Sequence, residues 1–127
     1  MIVLIVESNP ELAQLWSGHL QRQGAEVLLS RGEFDAVDVL RRTEVDILVL
    51  DLVLKDGSAF AVADFASYSQ PGTRVIFVTN TSFFSDGSIF QHIPNACAFL
   101  PSAMAPEDLA AVVDYYGVTP TGPRARF

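Results

Sequence analysis

Chemically reactive side chains are scarce in this chain of 127 residues, which has one cysteine, one lysine, two histidines and one tryptophan. A lone cysteine, Cys97, excludes an internal disulfide framework and a thiolate metal cluster. Its place inside an apolar run reads as a small buried hydrophobe. His19 and His92 have no second ligand at helical spacing, so no histidine metal site is expected. Basic charge is also short. The seven arginines and Lys55 are scattered and the net charge is −7, so direct contact with nucleic acid is not expected. No apolar run reaches the length needed to cross a bilayer. The strand pattern begins so close to Met1 that no secretory leader is expected either, and the expectation is a cytoplasmic protein. With half its residues apolar and only 18% charged, the bulk of the chain should fold as one domain around one core.

Short apolar runs alternate with amphipathic stretches from end to end. "MIVLIV" is continuous and β-branched, the pattern of a strand buried on both faces. Pro10 suits the first turn of a helix, Leu12, Leu15, Trp16, Leu20 and Gln23 recur at helical spacing, and Gly24 fits its stop. "AEVLLS" predicts a second strand, and Phe34, Val37 and Leu40 predict a second helix ending near Thr43. "VDILVLD" is the third strand. Asp56-Gly57 is turn chemistry, Ser58 a helix cap, and "AFAVADFASY" a helix broken by "SQPG". "TRVIFVT" and "ACAFL" complete the strands, and "PEDLAAVVDYY" predicts a last helix closed by Gly117. A domain over residues 1–117 and a loose tail over 118–127 follow.

Strands alternating with helices imply right-handed βαβ units, and five of them suggest a flavodoxin-like α/β three-layer sandwich. Its five-stranded parallel sheet should run in the order 2-1-3-4-5. Ligands in such sheets sit at the carboxyl ends of the strands, at the switch point between strands 1 and 3. Glu7 ends the first of these strands and Asp51 the other, so topology alone predicts that the two carboxylates meet.

Together with Thr79 and "AFLPSAMAPEDL", these acids make residues 1–117 resemble the receiver domain of two-component response regulators, a CheY-like fold. "LVLDLVLKDG" is similar to that family's phosphoacceptor strand and loop. The resemblance implies Asp51 as phosphoacceptor, Thr79 as the phosphoryl-contacting hydroxyl and Phe99 as the aromatic switch. Glu7, Asp51 and Val53 make up the implied Mg²⁺ set. Two positions depart from the family pattern. "IVES" puts Ser8 where a second, metal-ligating acid is expected, and "FLPSAM" puts Ser102 and Ala103 where a Lys-Pro pair is expected.

Transfer of a phosphoryl group to a carboxylate needs its charge neutralised and its oxygens held in line. Glu7 and Asp51 meet the one or two carboxylates that Mg²⁺ usually takes. Ser8 removes a formal charge beside the ion, which weakens the site. Losing the cation at position 102 removes roughly 2–4 kcal/mol of stabilisation, by analogy with deleted oxyanion donors. Lys55, four residues after Asp51, reads either as a substitute cation or as an ordinary solvated loop lysine.

Between the fourth and fifth strands, "SFFSDGSIFQHIPN" should hold a fourth helix, yet Gly87 and Pro94 leave room for one or two turns. Phe83, Phe84 and Phe90 cannot all turn inward from so short an element, and an exposed one would anchor a partner. The expected function is an atypical, stand-alone receiver in phosphorelay signalling that acts by protein–protein contact. Its expected partners are a histidine kinase, a phosphotransfer protein or a downstream regulator. A homodimer would use the face of the fourth helix, fifth strand and fifth helix. The alternatives are a pseudo-receiver scaffold that is never phosphorylated and, from other classes, a small phosphatase or a flavin-binding flavodoxin-like protein.

Overall fold

The computed structural model describes residues 1–80 and 93–118. Five strands, β1 (Ile2–Val6), β2 (Glu26–Ser30), β3 (Ile47–Asp51), β4 (Arg74–Thr79) and β5 (Ala96–Pro101), form one sheet. All its pairings are parallel and the order is β2-β1-β3-β4-β5, as expected. The described helices are α1 (Pro10–Arg22), α2 (Glu33–Arg42), α3 (Ala59–Ser69) and α4 (Pro106–Val118). The helix expected between β4 and β5, with Phe83, Phe84, Phe90 and His92, lies outside the described residues. So does the tail from 119 onward. Among the described residues no helix is long and apolar enough to cross a membrane.

The continuous apolar strands exist because both faces of the sheet are covered. Leu4, Val6, Leu48, Leu50, Val75 and Phe77 point to one face, where Ala36 and Leu40 of α2 and Ala59, Val62, Ala63 and Ala66 of α3 cover them. The alternate residues Val3, Ile5, Ile47, Val49, Ile76 and Val78 meet Ala13, Trp16 and Leu20 of α1 and Leu109, Ala110 and Val113 of α4. A period of two along each strand thus feeds two separate apolar layers.

Local rules set the helix ends. Asn9 caps α1, its side chain accepting from the Glu11 and Leu12 amides, with Pro10 at the first helical position. Ser58 caps α3 by accepting from the Ala61 amide. Two readings of the pattern need correction. Phe34 lies in the first turn of α2 but is 91% exposed, because small Ala36 rather than an aromatic ring seats this short helix against the sheet. Gly117 does not close α4, which runs on to Val118. The Met1 side chain lies close over Gly117, and a Cβ there would displace the Met1 sulfur.

β5 is the irregular strand. A register shift sets Val75 opposite Ala96 and Ile76 opposite Ala98, leaving Cys97 as the extra residue of a bulge. The Cys97 carbonyl accepts the Tyr116 hydroxyl at 2.9 Å, and the Arg74 guanidinium lies over the Tyr116 ring, 5.4 Å from its centroid. Burial pushes the Cys97 thiol up to about 11, against the opposing charge of Arg74.

At the amino-terminal edge of the sheet, Gln70 joins four pieces of backbone and side chain. Its Nε2 donates to the Leu40 and Thr43 carbonyls at 2.7 and 2.8 Å, and its Oε1 accepts from the Val45 amide at 2.8 Å and from Thr73 Oγ1 at 3.0 Å. Gln70→Ala strands these partners and is expected to cost about 2–3 kcal/mol of stability. The fall in urea midpoint, at an unchanged denaturant slope, checks this.

Candidate functional site

The carboxyl ends of the five strands form one polar edge. Glu7 directly follows β1 and Asp51 ends β3, with Val6 paired to Leu50 in the shared ladder. Glu7 is buried at 4% exposure, while Asp51 is half-buried. The Asn9 amide donates to Glu7 Oε2 at 3.1 Å, and Glu7 Oε1 is buried with no hydrogen-bond donor facing it. Asp51 lies within hydrogen-bonding reach of the Glu7 carboxyl. Two carboxylates can make that bond only when one of them carries a proton.

The electrostatics follow from this arrangement. Burial, chiefly, and then the adjacent Asp51 push the Glu7 carboxyl up from 4.5 to about 7, while the Asn9 and Ser8 amides oppose the rise. Ser30, the last residue of β2, adds a second buried oxygen without a partner, its Oγ. Its carbonyl accepts the Glu7 amide at 3.0 Å.

The remaining expected residues are distributed around this pair. Asp51 Oδ1 accepts the Val53 amide at 3.1 Å, so the start of the β3–α3 loop folds back on its own aspartate. Ser8 does not face the carboxylates alone: its hydroxyl donates to the Arg31 carbonyl at 3.0 Å and accepts the Lys55 amide at 2.9 Å. Lys55 is exposed, so only its backbone is fixed. Thr79 is 2% exposed at the end of β4, and its carbonyl accepts the Ser102 amide at 2.8 Å. Ser102 is half-buried and Ala103 exposed. Phe99 pairs in register with Phe77 and packs partly against the α2–α3 layer.

One contributor was missed in the sequence. Glu33 of α2 accepts the Ser58 amide on its Oε1 at 2.9 Å, and its own amide donates to the Asp56 carbonyl at 3.0 Å. Its only signal in the sequence was an acid in the first turn of a helix, which is too common to single out.

Among the described residues no group of three or more His, Cys, Asp or Glu side chains could hold a metal ion. The chemistry of the Glu7–Asp51 pair nevertheless suits one divalent ion. Two oxygen donors of like charge meet at one point, and one buried oxygen lacks a donor, which a hard cation satisfies as well as a proton does.

No protein-family model matches the chain. Solved structures of response regulator receiver domains do resemble it, and the observed fold is theirs. The signal receiver domain of a Luxo repressor protein of Vibrio parahaemolyticus is 25% identical with a TM-score of 0.81, covering 91% of this chain and 88% of that one. A response regulator protein of Thermotoga maritima, TrrA, solved in complex with Mg(2+)-BeF, is 18% identical with a TM-score of 0.79, covering 91% of this chain and 97% of that one. Among curated proteins, the "Probable transcriptional regulatory protein TcrX" of Mycobacterium tuberculosis is 31% identical over 77 residues. That match takes in 61% of this chain and 33% of the relative, so this chain aligns with about a third of the relative's length.

Because the folded Glu7 carboxyl titrates near 7 and its unfolded form near 4.5, the folded state binds the extra proton between these values. Stability from this source is full below pH 4.5 and is lost as pH rises through 7, by an amount of the order of 1–3 kcal/mol. In metal-free buffer, Glu7→Gln is expected to flatten that slope and to exceed the parent in stability at pH 7.5, as read by urea unfolding across pH.

Proposed function

We propose that this chain, built on the fold of the response regulator receiver domains, receives a signal at its Asp51 edge. It passes the signal on by protein–protein contact, with Asp51 a phosphoacceptor of reduced competence. The observation that carries this reading is the Glu7–Asp51 pair at the switch point, flanked by Ser8 and Ser102 in place of an acid and a lysine. In the proposed reaction a carboxylate oxygen of Asp51 takes a phosphoryl group from a phosphohistidine of a kinase or phosphotransfer protein. The P–N bond breaks as the O–P bond forms. Glu7, Asp51 and the backbone carbonyl of Val53 would hold Mg²⁺, which supplies charge neutralisation when bound. The Val53 amide keeps one Asp51 oxygen in place, and buried Thr79 stands at the end of the neighbouring strand for the phosphoryl oxygens.

What this site has little of is positive charge. Ser102 offers a hydroxyl where a cation would meet the developing negative charge, and its amide is spent on the Thr79 carbonyl. Lys55, whose backbone lies on the same loop as Asp51, is the candidate substitute. Output would leave through the β5–α4 face, where Phe99, Leu100, Val112 and Tyr115 line a shallow depression of about 340 Å³. Tyr115 is 60% exposed there and stacks edge-on against the anchored Tyr116. That face would also serve a homodimer.

A second reading, a scaffold that is never phosphorylated, draws on the same two serines. A phosphatase is less well supported, because the exposed Val53 stands where an aspartate-nucleophile enzyme would place its second acid. A flavin site is disfavoured by the buried Glu7 carboxyl at the loop after β1, which would repel a phosphate.

Incubation with a small-molecule phosphodonor and Mg²⁺, followed by intact mass, is expected to give a slow single adduct that Asp51→Asn abolishes. Ser102→Lys should speed labelling by about tenfold or more. No adduct in the parent rejects the phosphoacceptor in favour of the scaffold, and an adduct that persists in Asp51→Asn overturns the role of Asp51.

A further inference from the structure

We propose that Ser8 is a positioning residue that sets the Asp51 loop without a metal ion, its hydroxyl clasping the β2–α2 and β3–α3 loops together. The inference deepens the reading of Asp51 as the receiving residue and rests on it for its functional meaning. The geometry does not. One oxygen, Ser8 Oγ, donates to the Arg31 carbonyl at 3.0 Å and accepts from the Lys55 amide at 2.9 Å. Those partners lie 23 and 47 residues from Ser8 in the chain, so three separate loops meet on a single hydroxyl.

A second fastening lies a few residues further on. Glu33 grips the same loop at the Ser58 amide and the Asp56 carbonyl, at 2.9 and 3.0 Å. Gly57 sits between these two points with φ 87°, and a Cβ there would run into the Glu33 side chain. This fastening therefore needs both the left-handed backbone and the missing side chain. Counting the Val53 amide on Asp51 Oδ1, the loop is held at residues 53, 55, 56 and 58. Each hold is made by protein groups.

Hydrogen-bond chemistry makes clasp and metal ligand mutually exclusive uses of position 8. A serine hydroxyl donates once and still accepts, which suits a carbonyl on one side and an amide on the other. An ionised aspartate only accepts. Its oxygens would meet the lone pairs of the Arg31 carbonyl, which drives the side chain off both partners, the Lys55 amide included, and it would add a third carboxylate to the edge that carries Glu7 and Asp51. Such a group needs a cation, or bound protons, to offset its like charges. The serine thus replaces an ion-set loop by a hydroxyl-set one. The same bond fixes the point from which the Lys55 ammonium reaches out.

Amide hydrogen exchange by NMR, with and without millimolar Mg²⁺ and with no phosphodonor, tests this separately from any labelling of Asp51. In the parent the Lys55 amide should be protected equally in both conditions. Ser8→Ala should raise its exchange by about tenfold or more while the Leu48 amide in β3 is unchanged. Ser8→Thr, which keeps the hydroxyl, should stay within about twofold of the parent on the same scale. Ser8→Asp should behave like Ser8→Ala in chelator and regain protection on adding Mg²⁺. The proposal is overturned if Lys55 exchange in Ser8→Ala matches the parent. An equal rise at Leu48, or protection in Ser8→Asp without metal, overturns it too. Failure of phosphoryl labelling, by contrast, leaves these exchange rates untouched and counts only against the function of Asp51.

Discussion

A strand buried on both faces can carry polar side chains only where it runs out of the layer, and the rest of this molecule follows from that constraint. β1, β3 and β4 are covered on both sides, so their interiors are apolar without interruption and their chemistry is displaced to the ends. Because all five strands run parallel, those ends gather along one edge. Glu7, Asp51 and Thr79 meet the edge from three adjacent strands. The buried core brings together two carboxylates that would repel each other in an open chain, and the helices around the sheet hold them there. The raised Glu7 carboxyl is the electrostatic trace of its burial first and of the adjacent Asp51 second.

The edge itself divides its labour in an unusual way. A carboxylate pair with an unfilled buried oxygen asks for a proton or a cation, whereas the loop beside it is already tied down by neutral and anionic protein groups. Order in the loop and charge balance in the pair are therefore separate matters here. One depends on Ser8, Glu33 and Gly57, and the other on what occupies the space between Glu7 and Asp51. A site of this kind can hold its shape across changes in divalent ion concentration that would remodel a loop whose only fastening was the ion.

Most of the architecture was legible in the sequence because it rests on period and length. Strands of continuous apolar residues separated by amphipathic stretches admit few parallel topologies, and in the order they favour, Glu7 and Asp51 stand at the ends of neighbouring strands. Legibility failed where a residue's role is set by a distant neighbour. Phe34 fitted a helical repeat, but the repeat does not say that Ala36 supplies the close contact with the sheet. Gly117 looked like a stop and is a point of close approach to Met1. Ser8 was visible as a departure from a pattern, yet nothing in its identity told of Arg31 or Lys55. Glu33 carried no signal beyond its place in a first turn, and Cys97 gave no hint of the bulge that frees its carbonyl for Tyr116.

Gln70 bears on how the molecule can move. One amide group closes the end of α2, the approach to β3 and the turn before β4, all at the edge opposite Asp51. Sliding the α2–α3 layer along the sheet would break several of these bonds at once, so shear of that layer is the costly mode. On the β5 side Asn95 repeats the arrangement, its Nδ2 donating to the Thr73 carbonyl, its Oδ1 accepting from Ser67 Oγ and its carbonyl accepting the Val75 amide, so the whole amino-terminal edge is laced by side-chain amides while the opposite edge is left to carboxylates and hydroxyls.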